Sequence, residues 1–162
     1  MNGCYFCNLL QKRVDIFWEN DLLYAIFDNC PVSPGHTLII PKRHVADYAE
    51  LNETEWKKLK VAIQKVIEII EKTSLKSVYQ QFIKDHETDQ SVWFCKNALT
   101  HPKINTKPDG YNHGFNDGNA AGRTVNHFHW HVIPRFENDM QNSQGGVRFV
   151  IPEMGNYRLS RN

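Results

Sequence analysis

Short apolar runs along the chain predict the strands of a sheet. Residues 22–27 and 37–40 form two such runs, each with the length of a buried strand. The segment between them, residues 29–35, contains two prolines and a glycine, which are typical of a turn. We therefore predict an antiparallel hairpin in which His36 leads into the second strand.

A helical pattern of apolar residues follows the hairpin. Asn52 and Glu55 have the spacing of a capping box, with Asn in place of the usual Ser or Thr. Apolar residues then recur every three or four positions, at Trp56, Leu59, Ile63, Val66, Ile67 and Ile70. This stripe predicts a long helix that covers one face of the sheet.

The pattern weakens between residues 73 and 110. Residues 78–83 and 91–99 predict two short helices, and the prolines and the glycine of residues 102–110 predict turns. A structureless connection of this length would be unusual inside a compact domain. We interpret His86, Cys95 and His101 as surface or filler residues, and the sequence assigns the segment no function.

A strand pattern resumes at residues 111–115 and leads to a run of alternating histidines. As a strand, the stretch 126–135 places three histidines on one face and apolar residues on the other. The histidines are His127, His129 and His131. Chance would give such a triplet only about 0.02 times per chain of this composition, so the run indicates a chemical site.

Two features near the end of the chain concern strand boundaries. Pro134 has no N–H to donate, and we predict that it ends the pairing of the histidine strand. Residues 145–152 predict a last strand, which would carry Arg148.

The loop that precedes the histidines, residues 116–125, is rich in small and polar residues. Its glycines permit a ligand to approach the backbone closely. Free N–H groups, together with the side chains of Asn116, Arg123 and Thr124, suit the oxygens of a phosphate. An ordinary hairpin loop is the alternative, but it gives little reason to combine these donors with three histidines.

Composition limits the class of protein. A chain of 162 residues with 41% hydrophobic and 23% charged residues predicts one globular domain, residues 1–162. The formal net charge of +1 argues against binding to nucleic acid or to an acidic membrane surface. No run has the length of a membrane span and no leader pattern is visible, so we expect a cytoplasmic protein.

The cysteines leave three interpretations open. Four cysteines are few for a disulfide scaffold. Cys4 and Cys7 have the Cys-x-x-Cys spacing that contributes two thiolates to a tetrahedral zinc site, but two more ligands would be needed. The pair could also be two small buried side chains or a redox dithiol, although the strand-then-helix unit that thioredoxin-like chemistry needs does not surround the motif.

Taken together, these motifs resemble the histidine triad family. The segments that match its pattern are GFNDG at 114–118, AGRTV at 121–125 and HFHWHVIPR at 127–135, with Asp28, PGHTLIIP at 34–41 and His44 upstream. The resemblance implies an α+β fold with an antiparallel sheet of about five strands, a long helix packed on it, and a homodimer that continues the sheet. Residues 73–108 would be an atypical insertion and residues 137–162 a C-terminal extension.

The resemblance also implies an enzyme and the roles of its residues. His129 would attack the α-phosphorus of a nucleotide and form a covalent nucleotidyl-histidine, which water then cleaves. His131 would assist proton transfer near the leaving group. The implied substrate contacts are Asn116, the Gly122 amide and Thr124 for phosphates, Asp28 for ribose, Phe6, Leu9 and Ile26 for the base, and His36 among the substrate-binding residues.

Two positions bear on the substrate. Arg123 stands where many members carry Gln, which adds a cation beside the phosphates and favours longer polyphosphate chains. Related nucleotidylyltransferases carry Gln where this chain has His131, so hydrolysis is favoured over transfer. The C-terminal region of family members often approaches the site of the partner subunit, which makes Arg148 a candidate phosphate contact.

In zinc-carrying members, the resemblance assigns a closed set of four ligands. Here these would be Cys4, Cys7, His44 and His127, a Cys₂His₂ set that implies a structural rather than a catalytic zinc. The predicted function is hydrolysis at the α-phosphate of a dinucleoside polyphosphate or a nucleoside phosphoramidate, with adenine as the expected base and no catalytic metal. The alternatives are a phosphorylase or nucleotidylyltransferase, a triad that binds a catalytic metal, and a nucleotide-binding scaffold without turnover.

Overall fold

Five antiparallel strands and the helices around them form the fold. The structure, a computed structural model of the chain, describes residues 3–85 and 89–156. Its main elements are α1 (Tyr5–Lys12), β1 (Ile16–Glu19), β2 (Leu23–Phe27), β3 (Thr37–Pro41), α2 (Glu53–Ile70), α3 (Leu75–Asp85), α4 (Asp89–Thr100), β4 (Gly110–Gly114), β5 (Trp130–Arg135) and α5 (Pro152–Gly155). The strand order is β1-β2-β3-β5-β4, so the predicted α+β class with an antiparallel sheet is confirmed.

The predicted hairpin is the central pair of strands. β2 and β3 pair from Leu23 opposite Pro41 to Phe27 opposite Thr37. Because strand side chains alternate between faces, Ala25 and Ile39 join the core under α2, whereas other residues of the same strands pack against Phe6 of α1. Those on the α1 side are Tyr24, Ile26, Leu38 and Ile40. The sheet is therefore covered on both faces, by α2 on one and by α1 on the other.

The long helix α2 begins with the predicted capping box. The Asn52 side-chain oxygen accepts a hydrogen bond from the Glu55 backbone N–H at 2.9 Å. The Glu55 carboxylate in turn accepts from the Asn52 backbone N–H at 2.9 Å. Both contacts satisfy N–H groups that the first turn of a helix otherwise leaves unpaired. The buried stripe of the helix consists of Leu59, Ala62, Val66 and Ile70.

Replacing Asn52 with alanine should lower the free energy of unfolding by about 1 kcal/mol, because the first turn loses its cap. For a chain of this length, that loss corresponds to a fall of roughly 2–4 °C in the melting temperature. Thermal denaturation followed by circular dichroism measures the change. Asn52→Asp keeps an acceptor at the cap and should melt close to the wild type; an unchanged melting temperature for Asn52→Ala would contradict the prediction.

The histidine segment is shorter as a strand than predicted. β5 begins at Trp130, so His127 and His129 precede it. The pairing with β3 reaches only to Trp130, and β3 ends in Pro41, which has no N–H to donate. The backbone N–H of Phe128 instead donates to the carbonyl of Val45 at 2.6 Å. The predicted alternation nevertheless holds, because Phe128 joins the core under α2 while the histidines lie on the α1 side.

The prediction that Pro134 ends the pairing is wrong. Pro134 lies inside β5 and pairs with Tyr111 of β4. The ladder between β5 and β3 extends only to Val132, so the missing N–H of Pro134 faces no strand. On that same side, the Pro134 carbonyl accepts a hydrogen bond from the Ser33 hydroxyl at 2.6 Å.

The predicted last strand at residues 145–152 is also wrong. The chain forms a short 3₁₀ helix at Gly146–Val150, and α5 follows. Gly145 and Gly146 both have positive φ values, 106° and 51°, which turn the chain out of an extended course. Arg148 donates to the carbonyl of Gly155 at 3.3 Å, and its contact with a partner subunit stays a prediction.

The two helices predicted between residues 73 and 110 are confirmed as α3 and α4. They share a buried cluster of apolar side chains, which consists of Leu75, Tyr79, Phe82, Cys95, Ala98 and Ile104. Cys95 is fully buried there, and the ring of His101 lies 4.8 Å from that of Phe136. His86 lies outside the described residues.

The structure bears on only some of the remaining expectations. No helix among residues 3–85 and 89–156 combines the length and the apolar character that crossing a membrane requires. The homodimer, the limits of the domain and the status of residues 73–108 as an insertion stay predictions. β4 lies at one edge of the sheet and β1 at the other.

Candidate active site and metal centre

Four metal-binding side chains meet between α1, the end of β3 and the histidine segment. Cys4 is the residue before α1 and Cys7 lies one turn further along. Residues three apart in a helix share a face, so both thiols point the same way. His44 follows β3, and His127 opens the histidine segment. The ligand atoms of the four side chains all lie within 4.8 Å of one another.

The spacing of these atoms fits a tetrahedral zinc ion. Cys4 Sγ lies 3.3 Å from His127 Nδ1, Cys7 Sγ 3.4 Å from His44 Nδ1, and Cys7 Sγ 3.6 Å from His127 Nδ1. Zinc bonds of about 2.3 Å to sulfur and about 2.0 Å to nitrogen, at tetrahedral angles, place sulfur and nitrogen about 3.5 Å apart. The two sulfurs and two nitrogens therefore surround a point at which zinc would reach all four.

His127 is oriented for this task by a further contact. Its Nε2 lies 2.9 Å from the carbonyl oxygen of Pro41, so Nε2 carries the proton and Nδ1 is left as the ligand atom. Burial lowers the pKa of His127 to about 4, which keeps the imidazole in the neutral form that binds metals. The donors, their spacing and the orientation of His127 fit a structural zinc site.

One ring nitrogen of His129 is held in a hydrogen bond, and the other is available for chemistry. Its Nδ1 donates to the backbone carbonyl of His127 at 2.8 Å, which leaves the electron pair on Nε2. The ring is buried and lies 5.1 Å from the ring of Phe6 and 5.0 Å from that of His131. Burial lowers the pKa of His129, so the imidazole is neutral near pH 7. A neutral imidazole with a free nitrogen is a nucleophile or a base.

Asp28, His36 and His131 form a second group of titratable side chains. The Asp28 carboxylate lies 3.4 Å from His36 Nδ1, and His36 Nε2 lies 3.0 Å from His131 Nδ1. Their ligand atoms lie within 4.8 Å of one another, a spacing that could also hold a metal ion. The hydrogen bond between the two rings, however, already uses one nitrogen of each histidine.

The backbone determines where the protons of this group lie. The Val32 backbone N–H donates to His36 Nδ1 at 3.5 Å, so Nδ1 is an acceptor and the proton of the neutral His36 ring is on Nε2. His36 Nε2–H then donates to Nδ1 of His131 at 3.0 Å, so the proton of the neutral His131 ring is on its own Nε2. His131 Nε2 is left buried and has no hydrogen-bond partner within the part of the chain that the structure describes. His36 thus supports His131 from behind.

A cavity of about 260 Å³ opens beside His129 and His131. Its volume is near the lower end of ligand pockets, which suits one nucleoside-sized group rather than two. The predicted site residues that line it are Phe6, Ile26, Asp28, Asn116, Thr124, His129 and His131. Apolar walls that carry a carboxylate, an amide, a hydroxyl and two imidazoles can bind a flat ring together with a polar chain.

Two predicted contacts lie behind the cavity wall. Leu9 packs against the cluster of Phe6 and Ile26 but is not itself at the surface of the cavity. His36 is buried and reaches the cavity only through its hydrogen bond to His131. Their roles as direct substrate contacts stay predictions.

Two other predicted contacts already form hydrogen bonds within the protein. The Gly122 N–H donates to the carbonyl of Asn119 at 3.0 Å. Arg123 binds the Asp47 carboxylate at 2.6 Å and the Ala46 carbonyl at 3.0 Å, both through the same terminal nitrogen. Neither residue lines the cavity, so phosphate contacts from them also stay predictions.

The comparisons with known proteins identify the family. The HIT domain model matches residues 10–138. The chain belongs to the HIT family, the histidine triad proteins. Among its relatives, an uncharacterized HIT-like protein of Mycoplasma genitalium is 29% identical over 84% of this chain and 75% of its own length.

Solved structures of HIT proteins share the fold. A Streptococcus mutans protein matches with a TM-score of 0.60 and 27% identity, over 88% of this chain and 71% of that chain. A zinc-bound histidine triad family protein from Mycobacterium smegmatis matches with a TM-score of 0.60 and 25% identity, over 86% of this chain and 80% of that chain. The second structure contains zinc, and the Cys₂His₂ group of this HIT protein has the sulfur and nitrogen donors that zinc binds.

Some related HIT proteins carry the names of activities. The bis(5'-adenosyl)-triphosphatase of Dictyostelium discoideum is 27% identical over 88% of this chain and 74% of its own length. The AP-4-A phosphorylase of Mycobacterium tuberculosis is 28% identical over 82% of this chain and 53% of its own length. The names thus include both a hydrolase and a phosphorylase.

The sequence of this HIT protein did not point to every residue of the cavity. The further lining residues are Tyr5, Asp15, Phe27, Asn29, Cys30, Leu38, Phe82 and Val125. Several of them adjoin a predicted residue in the sequence, as Tyr5 adjoins Phe6, and a wider reading of each motif would have included them. Phe82 lies on α3 and had no such signal.

The free energy of unfolding of this HIT protein should fall as the pH drops from about 6.5 to about 4. Burial lowers the pKa of His36 and of His131 to about 4, from an ordinary value of 6.5. Between these two pH values, each of the two histidines is protonated in the unfolded chain but stays neutral in the folded chain, so acid favours unfolding. Asp28, whose pKa burial raises, opposes the trend at the acidic end.

Thermal melts of the wild type and of His36→Gln over this pH range measure the effect. The variant lacks one of the two histidines, so its unfolding takes up as much as one proton fewer. The slope of its free energy of unfolding against pH should therefore be smaller by up to about 1.4 kcal/mol per pH unit. Acid release of a metal would affect both proteins and cancels in the comparison. Equal slopes for the two proteins would contradict the assignment.

Proposed function

We propose that this protein hydrolyses nucleotides at the α-phosphate through a covalent nucleotidyl-His129 intermediate. The position of His129 carries the proposal. Its Nδ1 is bound to the His127 carbonyl at 2.8 Å, and its ring lines a cavity sized for one nucleoside. Nε2 is therefore the nitrogen available for attack, and the fixed ring direction lowers the entropy cost of that attack.

The reaction would take two displacements. Nε2 of His129 attacks the α-phosphorus, and a P–N bond forms while the bond to the leaving group breaks. Water then attacks the same phosphorus, the P–N bond breaks, its electron pair returns to Nε2, and a nucleoside monophosphate is released. His131 gives a proton to the leaving group in the first step and recovers one from water in the second. Its buried and unpartnered Nε2 supports this role.

The substrate would be an adenine dinucleoside polyphosphate or an adenosine phosphoramidate. The apolar lining of the cavity would hold the base between Phe6 and Ile26, with Leu9 behind them, and Asp28 would accept hydrogen bonds from ribose hydroxyls. Asn116 and Thr124, which line the cavity, would donate to phosphate oxygens. The names of the two adenosine-polyphosphate enzymes among the relatives support adenine as the base.

Two nearby groups would assist phosphate binding from outside the cavity wall. Arg123 is anchored to Asp47 through one terminal nitrogen, which leaves other guanidinium N–H groups for the outer phosphates of a long chain. The Gly122 amide would have to leave its turn hydrogen bond to Asn119 in order to contribute.

A structural zinc ion would stabilise this site without taking part in the chemistry. Cys4, Cys7, His44 and His127 would hold it, because their atoms have tetrahedral spacing and four protein ligands leave no open position. We further propose a cytoplasmic homodimer in which an edge strand continues the sheet. Such a dimer would also bring the C-terminal region, with Arg148, near the partner site.

Product analysis tests the proposed reaction. The protein is incubated with diadenosine tetraphosphate or adenosine 5'-phosphoramidate in ¹⁸O-labelled water, with and without a brief exposure to a chelator. We expect AMP that carries one ¹⁸O atom, at a rate that the chelator does not change. If neither substrate yields AMP, the protein is better described as a scaffold that binds nucleotides without turnover. If the chelator abolishes the activity and added magnesium restores it, the reaction uses a catalytic metal.

Phosphorolysis is the second candidate, because one relative is named as a phosphorylase. In that reaction, inorganic phosphate rather than water attacks the intermediate. The same assay with added phosphate would then yield ADP in place of AMP. We expect AMP in both conditions.

A further inference from the structure

The hairpin of α3 and α4 packs against the loop that joins β2 to β3. The Tyr79 hydroxyl accepts a hydrogen bond from the Gly35 N–H at 2.7 Å, near one end of this loop. Near the other end, the Cys95 thiol contacts the Asn29 carbonyl at 3.6 Å. Phe27 of β2 also packs against the buried cluster of the hairpin. The hairpin therefore contacts the loop at both ends.

This loop carries two residues of the site, one at each end. Asp28 is its first residue and His36 its last, and the Asp28 N–H donates to the His36 carbonyl at 2.8 Å. Gly35 shows how tightly the loop is packed: its φ is +85°, and a Cβ atom there would lie 3.0 Å from Ile70 and 3.3 Å from Leu75. The helices α3 and α4, which come from the segment to which the sequence assigned no function, thus pack directly behind site residues.

One side chain of the hairpin reaches the cavity itself. Phe82 of α3 lines it, and no other residue of α3 or α4 in the described part of the chain does so. Phe82 belongs to the cluster that Phe27 joins, whereas two other apolar residues that line the cavity, Phe6 and Ile26, belong to another cluster. Phe82 therefore packs with Phe27, whose neighbour in the chain is Asp28, the residue that the proposed function assigns to the ribose.

We propose that Phe82 is a specificity-determining residue that closes the ribose end of the nucleoside cavity. The inference rests on the proposed function, because it takes the occupant to be a nucleoside. The buried ring sets the space beside Asp28, so an unmodified ribose fits and a ribose with a bulky substituent on its hydroxyls does not. Removing the ring opens that space, while the base contacts of Phe6 and Ile26, which belong to another cluster, remain.

The test compares the binding of three nucleotides by calorimetry. The first is AMP, the second carries a methylanthraniloyl group on the ribose hydroxyls, and the third carries a benzyl group on the adenine amine. We expect the wild type to prefer AMP over the ribose-substituted nucleotide at least tenfold. Phe82→Ala should reduce this preference to less than about threefold and leave the preference over the base-substituted nucleotide unchanged.

Two further variants separate specificity from packing. Phe82→Leu retains an apolar side chain in the cluster and should shift the ribose preference in the same direction by a smaller factor, so a poorly folded Phe82→Ala does not end the test. Leu75→Ala truncates another buried side chain of the same cluster, but Leu75 does not line the cavity. We expect Leu75→Ala to lower the melting temperature and to keep the wild-type preference.

Several results would overturn the inference. The first is that the wild type binds AMP and its ribose-substituted form equally, and the second is that both Phe82 variants keep the wild-type preference. The third is that the Phe82 variants gain affinity only for the base-substituted nucleotide. The fourth is that Leu75→Ala gains the same affinity for the ribose-substituted nucleotide as Phe82→Ala. If the wild type binds AMP in any of these cases, the proposed function stands without the inference. If the wild type binds none of the nucleotides, both are overturned.

Discussion

Replacing His129 with alanine should lower the rate of nucleotide hydrolysis by at least about 10⁴-fold while the protein stays folded. The substitution removes Nε2, the atom that would form the P–N bond. His131 would not replace it, because its Nδ1 is bound to His36 at 3.0 Å and its Nε2 is the proposed proton donor to the leaving group. The residual rate would come from substrate binding and from the phosphate contacts alone.

The measurement combines kinetics with detection of the intermediate. The wild-type reaction is quenched in alkali, because the P–N bond hydrolyses in acid, and the adduct is located by mass spectrometry. We expect one adenylyl group on the peptide that contains His129. The adduct should be absent from His129→Ala and from His129→Gln, whose amide can still donate to the His127 carbonyl.

A matched control comes from another histidine. His101 packs against Phe136 and does not line the cavity, so His101→Ala should retain the wild-type rate. His131→Gln should lose less than His129→Ala, by the roughly 10²–10⁴-fold typical of a proton-transfer group. If His129→Gln is folded and hydrolyses within tenfold of the wild type, another group is the nucleophile.

The fold could be predicted where local patterns decide it. The capping box of Asn52 and Glu55 and the stripe of α2 depend on residues within a few positions of one another, and the structure contains both. The start of β5 depends instead on a contact between Phe128 and Val45, 83 positions apart, and on Pro41 at the end of β3. The sequence around the histidines holds no information about where that partner strand ends.

The candidate site likewise contains residues that local sequence predicts and residues that only tertiary contacts bring to it. Asn116, Thr124, His129 and His131 come together because they lie on one connection between β4 and β5 or at the start of β5, so sequence spacing was sufficient. Arg123 looked free to meet a phosphate, yet its guanidinium binds Asp47, 76 positions earlier. Phe82 reaches the cavity only because α3 and α4 pack on the β2–β3 loop. Both features depend on tertiary contacts that no local motif encodes.

Replacing Cys4 with serine should remove the bound zinc and lower the stability of the protein by roughly 3–5 kcal/mol, or about 10 °C in melting temperature. Zinc would bind the folded chain far more tightly than the unfolded chain, and this difference in affinity is a contribution to folding. The four ligands come from α1, the loop after β3 and the histidine segment. Loss of the ion would therefore loosen three parts of the chain at once.

Metal analysis and thermal melts test this prediction on purified, tag-free protein. We expect about one zinc ion per chain in the wild type and little in Cys4→Ser, and a chelator should lower the melting temperature of the wild type much more than that of the variant. Cys30→Ser is the control, because Cys30 is a free thiol outside the Cys₂His₂ group. It should keep both the zinc and the melting temperature. A wild type without zinc would contradict the assignment.

The comparison of His127→Ala with His129→Ala separates the two sites most sharply, because the residues are two positions apart on one segment. His127→Ala should lose zinc and stability, whereas His129→Ala should keep the zinc and lose the reaction. The sites are nevertheless linked, since the Nδ1 of His129 is bound to the His127 carbonyl. Alanine keeps this backbone carbonyl, so the folded molecules of His127→Ala should still catalyse the reaction, at a reduced rate. An assay at low temperature, where more of the molecules are folded, would reveal that rate. If both variants only unfolded, the division of roles between the two histidines would be wrong.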